Sequence, residues 1–323
     1  MRGVFLDINT VGPEDLDLDP LTTTLDDWSF HKQTSAGQVQ QTIRNADIVI
    51  TNKVPVDREM LHAANSLALL CVAATGTNNI DLVAAAERNV TVCNVRDYAT
   101  TSVVEHVFSM ILALTRRHHE YRLAVGSGKW QSAASFCLLD YPVRELAGQT
   151  LGIIGYGELG RAVARMGKAF GMNILIAQRP GSDTSPETGR TPLGQLLAQS
   201  NIISLHCPLT EATANLIGRN ELEQMREDAL LINTARGGIV NETALSQALF
   251  AGRIAGAAVD VLSEEPPRHG NPLLDDSIPN LIVTPHMAWT GVNARQTLIN
   301  ELAANIRAFL GGRPRNVVAA PCR

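Results

Sequence analysis

At 323 residues the chain is long enough for two domains that each bury a core, and its 45% hydrophobic and 18% charged residues are those of a globular protein. A formal net charge of −5 leaves no basic surplus for a nucleic-acid partner. Asp7 comes too early for a secretory segment, and the apolar helical stretch 103–114 is too short for a bilayer, so a cytoplasmic location without a membrane partner is expected.

Along the chain, short apolar β-rich runs alternate with helical stretches, the pattern of parallel sheets flanked by helices. Strands are expected at 4–8, 48–51, 67–73 and 90–94, with helices at 57–64 and 82–88 between them. A long amphipathic helix is expected over 102–125, where Val103, Val107, Met110, Ile111 and Leu114 share one face. The pattern becomes irregular after Lys129-Trp130, then residues 150–154 read as a strand and 159–170 as a helix closed by Gly171. Further strands follow at 174–177, 202–206, 230–234, 255–261 and 281–284. Helices at 193–199, 221–225 and 242–250 separate them, the last capped by Asn241, and a final helix over 292–310 ends at Gly311-Gly312. Cys71, Cys93, Cys137, Cys207 and Cys322 include no C-x-x-C pair and read as reduced thiols, and no metal constellation stands out.

Between strand 150–154 and helix 159–170 lies Gly155-Tyr156-Gly157-Glu158-Leu159-Gly160. A G-x-G-x-x-G carries weight only in this setting of strand, tight turn and helix, which a dinucleotide-binding loop requires. Gly155 permits the turn, Gly157 lets a pyrophosphate approach the backbone, and Gly160 lets helix and strand pack closely. Glu158 and Leu159 would then present N–H groups at the positive end of the helix dipole. An entire β/α set precedes this loop, so two similar-sized lobes are expected.

Groups able to do chemistry lie at the ends of the later strands. Arg236 follows strand 230–234, Asp260 and Glu265 lie in the segment 259–266 at the end of strand 255–261, and His286 stands at the end of strand 281–284. A guanidinium grips a carboxylate bidentately, an imidazole moves protons near neutral pH, and a carboxylate on the imidazole orients it. Open α/β sheets bind ligands outside the carboxyl ends of their strands, so these groups can converge there. A fold that prefers NAD should end its second strand with an acid on the ribose 2′-hydroxyl, but Gln178 stands there, followed by Arg179. A carboxylate about 4 Å from one phosphate charge would cost roughly 4 kcal/mol at an effective dielectric of 20. Gln178 imposes no such cost and Arg179 can pair with a 2′-phosphate, so NADPH is favoured, with NAD as the alternative.

These motifs, in this order, resemble the D-isomer-specific 2-hydroxyacid dehydrogenase family along essentially the whole chain. The resemblance implies an α/β fold of two Rossmann-like or flavodoxin-like parallel-sheet domains with a cleft between them. A substrate-binding domain would comprise 1–100 and 288–323, and a dinucleotide-binding domain 101–287. Arg236 would bind the substrate carboxylate and keto oxygen, His286 would be the acid/base, and Glu265 its partner. Backbone N–H groups of Ala74, Thr75 and Gly76 would cradle the carboxylate, with Asn52 and Lys53 nearby. His206, Cys207 and Pro208, with Thr213, would pass the adenosine side of the cofactor. Thr234 and Ala235 would border the nicotinamide alongside Arg236 and His286, Asp260 would meet its carboxamide, and Ser102 and Val104 would lie near it.

Within the family, residues 71–79 and 136–142 look most like glycerate dehydrogenases, or hydroxypyruvate reductases. That implies reduction of a small 2-keto acid: hydroxypyruvate to D-glycerate, with glyoxylate to glycolate beside it. Glutamate at 265 sets the chain apart from the formate dehydrogenase branch, which carries glutamine there. The alternatives are a nucleotide-sensing corepressor-like protein of the same fold and a phosphoglycerate dehydrogenase. The family also implies a homodimer joined through the nucleotide domains, with Trp130 in the arm that crosses to the partner.

Overall fold

The computed structural model describes residues 1–179 and 189–320. In chain order the first elements are β1 (Arg2–Phe5), α1 (Asp19–Thr22), β2 (Asp27–Phe30), α2 (Ala36–Ile43), β3 (Ile48–Thr51), α3 (Arg58–Ala63), β4 (Leu69–Val72), α4 (Leu82–Glu87) and β5 (Thr91–Cys93). Next come α5 (Thr100–Thr115), α6 (His118–Gly126), β6 (Thr150–Ile154), α7 (Glu158–Ala169), β7 (Asn173–Ile176), α8 (Leu193–Gln199) and β8 (Ile202–Leu205). The chain closes with α9 (Arg219–Gln224), β9 (Leu230–Asn233), α10 (Glu242–Phe250), β10 (Gly256–Val259), β11 (Leu281–Val283), α11 (Val292–Leu310) and β12 (Val317–Ala319). Two compact units result, one from Met1–Ala99 with Trp289–Arg323 and one from Thr100–Ala288.

The first unit carries a sheet in the order β2-β1-β3-β4-β5-β12, parallel except for β12, which pairs antiparallel with β5. Strict alternation along the central strands builds a core on each face of this sheet. Val4, Val49, Leu70 and Val92 point to one side with Val39, Ile43 and Leu61. Phe5, Ile48, Ile50, Leu69, Cys71 and Cys93 point to the other, where Leu298, Leu302 and Ile306 of α11 cover them. Burial raises the Cys93 thiol to about 11 and moves Cys71 in the same direction, so both stay protonated and inert. Cys322 lies outside the described residues.

The second unit is wholly parallel, in the order β7-β6-β8-β9-β10-β11. On the outer edge of β7, Gln178 N–H donates to the Thr191 carbonyl at 2.9 Å and Thr191 N–H to the Ile176 carbonyl at 2.7 Å. Counting that bridge as a vestigial strand, the order becomes 3-2-1-4-5-6-7, the 3-2-1-4-5-6 of a dinucleotide-binding fold with β11 added at the far edge. Asn241 caps α10 as expected, accepting from Ala244 N–H at 2.9 Å.

Three features depart from the pattern read in the sequence. The helix expected over 102–125 is two helices, because Arg117 adopts a left-handed conformation (φ 54°) between α5 and α6. β2 and β12 were not anticipated; both are short edge strands with little full burial, so their alternation is weak. The helix α2 was also unforeseen, although Ser35 and Gln38 form a capping box at its start. Among the described residues no helix is long and apolar enough to cross a membrane, and no group of three or more His, Cys, Asp or Glu is placed to hold a metal ion.

Candidate active site

The glycine loop is built by backbone contacts. Gly155 has φ +93°, and a Cβ there would sit 2.5 Å from the Cys207 amide nitrogen. A Cβ on Gly160 would meet the Gly155 carbonyl oxygen at 2.0 Å, so helix and loop touch main chain to main chain. Gly157 differs from both. Its φ of −79° suits any residue, and a Cβ there would have nothing within 4 Å. The fold itself therefore does not need glycine at 157, and the open space above it leads to the first turn of α7. Gly157 offers no side-chain cap, so among the described residues the N–H groups opening that turn are open to an outside acceptor. Glu158 turns sideways to pair with Arg161 at 3.2 Å.

The ends of β8 and β9 add two unsatisfied groups. His206 Nε2 shares a hydrogen bond with Ser204 Oγ at 2.8 Å, while Nδ1 is buried with no partner among the described residues. Burial pushes this imidazole down to about 4, so it is neutral at physiological pH. Thr234 Oγ1 is likewise buried and unpartnered. A buried polar atom without a partner costs about 1–3 kcal/mol, and a bound polar ligand removes that cost. An open cradle over Gly157 and orphaned polar atoms after β8 and β9 are what a dinucleotide fits.

Beyond β9, Asn233 folds the chain back on itself: its Oδ1 accepts from Ala235 N–H and its Nδ2 donates to the Arg236 carbonyl, both at 3.1 Å. This turn leaves Arg236 exposed, with Nη1 on the Ala235 carbonyl at 2.7 Å. Glu265 lies in the loop after β10. Its Oε1 accepts from Leu262 N–H at 2.9 Å and its Oε2 meets His286 Nδ1 at 2.6 Å. His286 holds a left-handed backbone (φ 52°), its N–H bonded to the Asp260 and Thr284 carbonyls at 2.8 and 3.0 Å.

Asp260, 1% exposed, organises the chain around His286. Its Oδ1 accepts from Thr284 Oγ1 at 2.5 Å and Met287 N–H at 2.9 Å, and its Oδ2 from Ala288 N–H at 2.9 Å. His106 Nε2 on α5 lies 3.1 Å from Thr284 Oγ1 and 3.5 Å from Asp260 Oδ1. Burial pushes the Asp260 carboxyl up, but its bonds to His106, Thr284 and the two amides outweigh this and hold it below the usual range. Ser102 on the same helix donates to the Ala288 carbonyl at 2.7 Å.

Other expected positions divide between open and internally engaged groups. Thr213 is consumed by its own loop: Oγ1 donates to the Pro208 carbonyl and accepts from Thr210 N–H, both at 2.7 Å. Cys207 is half-buried and its thiol is raised by burial, and Ala235 is buried. Gln178 is half-buried and Arg179 exposed at the end of β7. In the first unit, the Thr75 side chain bonds the Val95 carbonyl at 2.8 Å. Among the described residues, no backbone acceptor takes the N–H groups of Ala74, Thr75 or Gly76. Asn52 and Lys53 present their N–H groups to Asp7, at 2.9 and 2.7 Å.

Residues 108–288 match the family model described as D-isomer specific 2-hydroxyacid dehydrogenase, NAD binding domain, and the chain is 45% identical over 283 residues to a glycerate dehydrogenase of Methylorubrum extorquens, covering 88% of each. The chain belongs to this family. The dehydrogenase superimposes on D-lactate dehydrogenase from Aquifex aeolicus, complexed with NAD and lactic acid, with a TM-score of 0.82 and 27% identity over 99% and 100% of the two chains. An acyclic imino acid reductase in complex with NADPH and D-Arg gives a TM-score of 0.80 and 26% identity over 98% and 100%. The enzyme is thus a D-2-hydroxyacid dehydrogenase working with a nicotinamide cofactor, on a small 2-hydroxy or 2-keto acid.

Several groups that shape this dehydrogenase's loops had no signal in the linear pattern. Asp7 is buried at the end of β1 and gathers the amides of Asn52, Lys53 and Val54 on one carboxylate. His106 lies in an apolar helix and reads as an ordinary core position. Arg190 follows the 180–188 segment and returns to the end of β7, where Nη1 donates to the Ala177 carbonyl at 3.0 Å. Gly237 has no Cβ to separate Leu262 from the Arg236 turn; one built there would lie 1.9 Å from the Leu262 carbonyl oxygen.

Proposed function

We propose that the dehydrogenase reduces hydroxypyruvate to D-glycerate, with glyoxylate to glycolate as a side reaction, and prefers NADPH. The observation that carries the catalytic reading is the 2.6 Å contact between His286 Nδ1 and Glu265 Oε2. A carboxylate on Nδ1 orients the ring and fixes the N–H there, so the proton passed to the forming alkoxide leaves from Nε2. Arg236 holds the substrate carboxylate and polarises the keto oxygen through its planar fork. In the first unit, Ala74, Thr75 and Gly76, with Asn52 and Lys53, are the residues that the family resemblance assigns to an anionic substrate. When bound, the reduced nicotinamide supplies the hydride equivalent to the keto carbon. Gly155, Gly157, Glu158, Leu159 and Gly160 hold the pyrophosphate, and His206 and Thr234 use their unpartnered atoms on the cofactor.

The cofactor preference rests on charge at the end of β7. Gln178 does not repel a 2′-phosphate, Arg179 follows it, and Arg190 brings a second guanidinium to Ala177. The substrate follows from the likeness of residues 71–79 and 136–142 to glycerate dehydrogenases and from the name of the Methylorubrum extorquens relative. A panel of 2-keto acids assayed with NADPH and NADH tests both halves. Highest kcat/KM for hydroxypyruvate with NADPH is expected. A strong NADH preference would reject the cofactor assignment, a phosphorylated or aliphatic keto acid as best substrate would reject the substrate, and no turnover at all would favour a nucleotide-sensing role.

A homodimer also fits the second unit. The irregular stretch after α6 leaves Phe136 90%, Leu139 87% and Trp130 50% exposed, and apolar side chains so placed suit burial by a second copy. Light scattering on Phe136→Asp/Leu139→Asp is expected to show monomers where the parent chain shows dimers.

A further inference from the structure

We propose that Glu242 is a positioning residue for the His286–Glu265 pair, acting through the loop that carries Glu265. The inference rests on the reading of that pair as the proton-transfer machinery. Glu242 occupies the first turn of α10, but the helix is capped by the neighbouring Asn241 side chain, so the Glu242 carboxylate is not needed for capping. Both its oxygens are spent on the loop after β10. Oε1 accepts from Ser263 N–H at 2.7 Å, while Oε2 accepts from Ser263 Oγ at 2.7 Å and from Asn271 Nδ2 at 2.8 Å. One carboxylate therefore fastens both ends of the 263–271 segment, with Glu265 between the two attachment points.

The attachment is rigid at each end of the chain of contacts. α10 is anchored in the core by Leu245 and Leu249. Ser263 adjoins Leu262, whose N–H holds Glu265 Oε1 at 2.9 Å, so fixing Ser263 fixes the donor that orients the Glu265 carboxylate. Leu262 is also pressed against Gly237, beside Arg236, where a Cβ would fall 2.0 Å from the Leu262 carbonyl carbon. The segment 236–242 thus carries Arg236 at one end and the clamp on the Glu265 loop at the other. Charge-assisted bonds of this kind are stronger than neutral ones, and exposed loops without such ties sample many conformations.

Removing the clamp should let Glu265 drift from His286 without disturbing the glycine loop or the Asn233-braced turn of Arg236. Glu242→Ala is expected to lower kcat about tenfold, with KM for the keto acid and Kd for NADPH held within about twofold. Glu242→Gln, which keeps the size and one acceptor oxygen, should recover part of the loss. In a Glu265→Gln background, where no carboxylate remains to be oriented, Glu242→Ala should add almost nothing further. Ser263→Ala removes only the Oγ contact and should show a milder loss of about two- to threefold in kcat, again absent behind Glu265→Gln, which keeps the test alive if Glu242→Ala folds poorly. Equal losses in both backgrounds, a rise in KM or cofactor Kd that accounts for the effect, or unchanged kcat in both single variants would overturn the proposal. Unchanged turnover in Glu265→Gln by itself would instead reject the reading of the His286–Glu265 pair.

Discussion

Substituting Gly157 separates what the fold needs from what the cofactor needs. Its φ and ψ of −79° and −155° are open to alanine, and the added Cβ would meet nothing within 4 Å. Alanine restricts the unfolded chain, a gain of about 0.4–1 kcal/mol, but it is a poorer helix N-cap than glycine by a similar few tenths to 1 kcal/mol. The two nearly cancel, so Gly157→Ala should leave the stability of the cofactor-free protein within about 1 kcal/mol of the parent. The cofactor meets a different surface. A methyl group set where the pyrophosphate approaches the backbone acts as overpacking, about 1–3 kcal/mol, or roughly 5- to 150-fold in Kd. Gly160→Ala provides the contrast: its Cβ would strike the Gly155 carbonyl oxygen at 2.0 Å, so stability and binding should fall together. Urea unfolding of the cofactor-free proteins and fluorescence titration with NADPH and NADH measure the two quantities. Unchanged cofactor affinity in Gly157→Ala, or a loss of affinity matched by a loss of stability, would refute the assignment of the open space to a ligand.

Three other outcomes follow from the same geometry. His286→Ala should reduce kcat by about 10²–10⁴ while cofactor Kd stays close to the parent value, read by steady-state kinetics beside the titration. Arg236→Lys replaces a planar fork by a point charge and should lower kcat/KM for the keto acid by about tenfold or more without weakening the cofactor. His206 predicts an acid limit on stability: its folded value of about 4 lies below the ordinary 6.5, so the unfolded chain takes up the proton first. The associated stability is complete above about pH 6.5, falls by about 2 kcal/mol on reaching pH 5, and is exhausted near pH 4. Urea unfolding of His206→Gln and the parent at about pH 7.5 and 5 should show the variant gaining that amount relative to the parent; a difference independent of pH would exclude the titration.

The parts of this enzyme that local pattern encodes are legible in its sequence. Central strands such as β3 and β4 are buried on both faces and announce themselves as unbroken apolar runs, and the strand–glycine–helix passage from β6 to α7 is a contiguous signature. Arg236, Glu265 and His286 could be singled out as candidates because each lies in a loop that follows a strand. The edge strands β2 and β12 escaped because partial burial blurs alternation, and the break at Arg117 escaped because its flanks stay helical in character.

What the sequence by itself determined was therefore the alternating β/α plan, the glycine loop and the residue types available at the strand ends. Only the tertiary structure decided that Gly157 faces open space while Gly155 and Gly160 face backbone, that Asp7 gathers the 52–54 amides, that Arg190 returns to β7, and that Glu242 ties down the Glu265 loop. The reason is physical: periodicity records which face of a local element is buried, whereas a hydrogen bond between residues distant in the chain leaves no period behind.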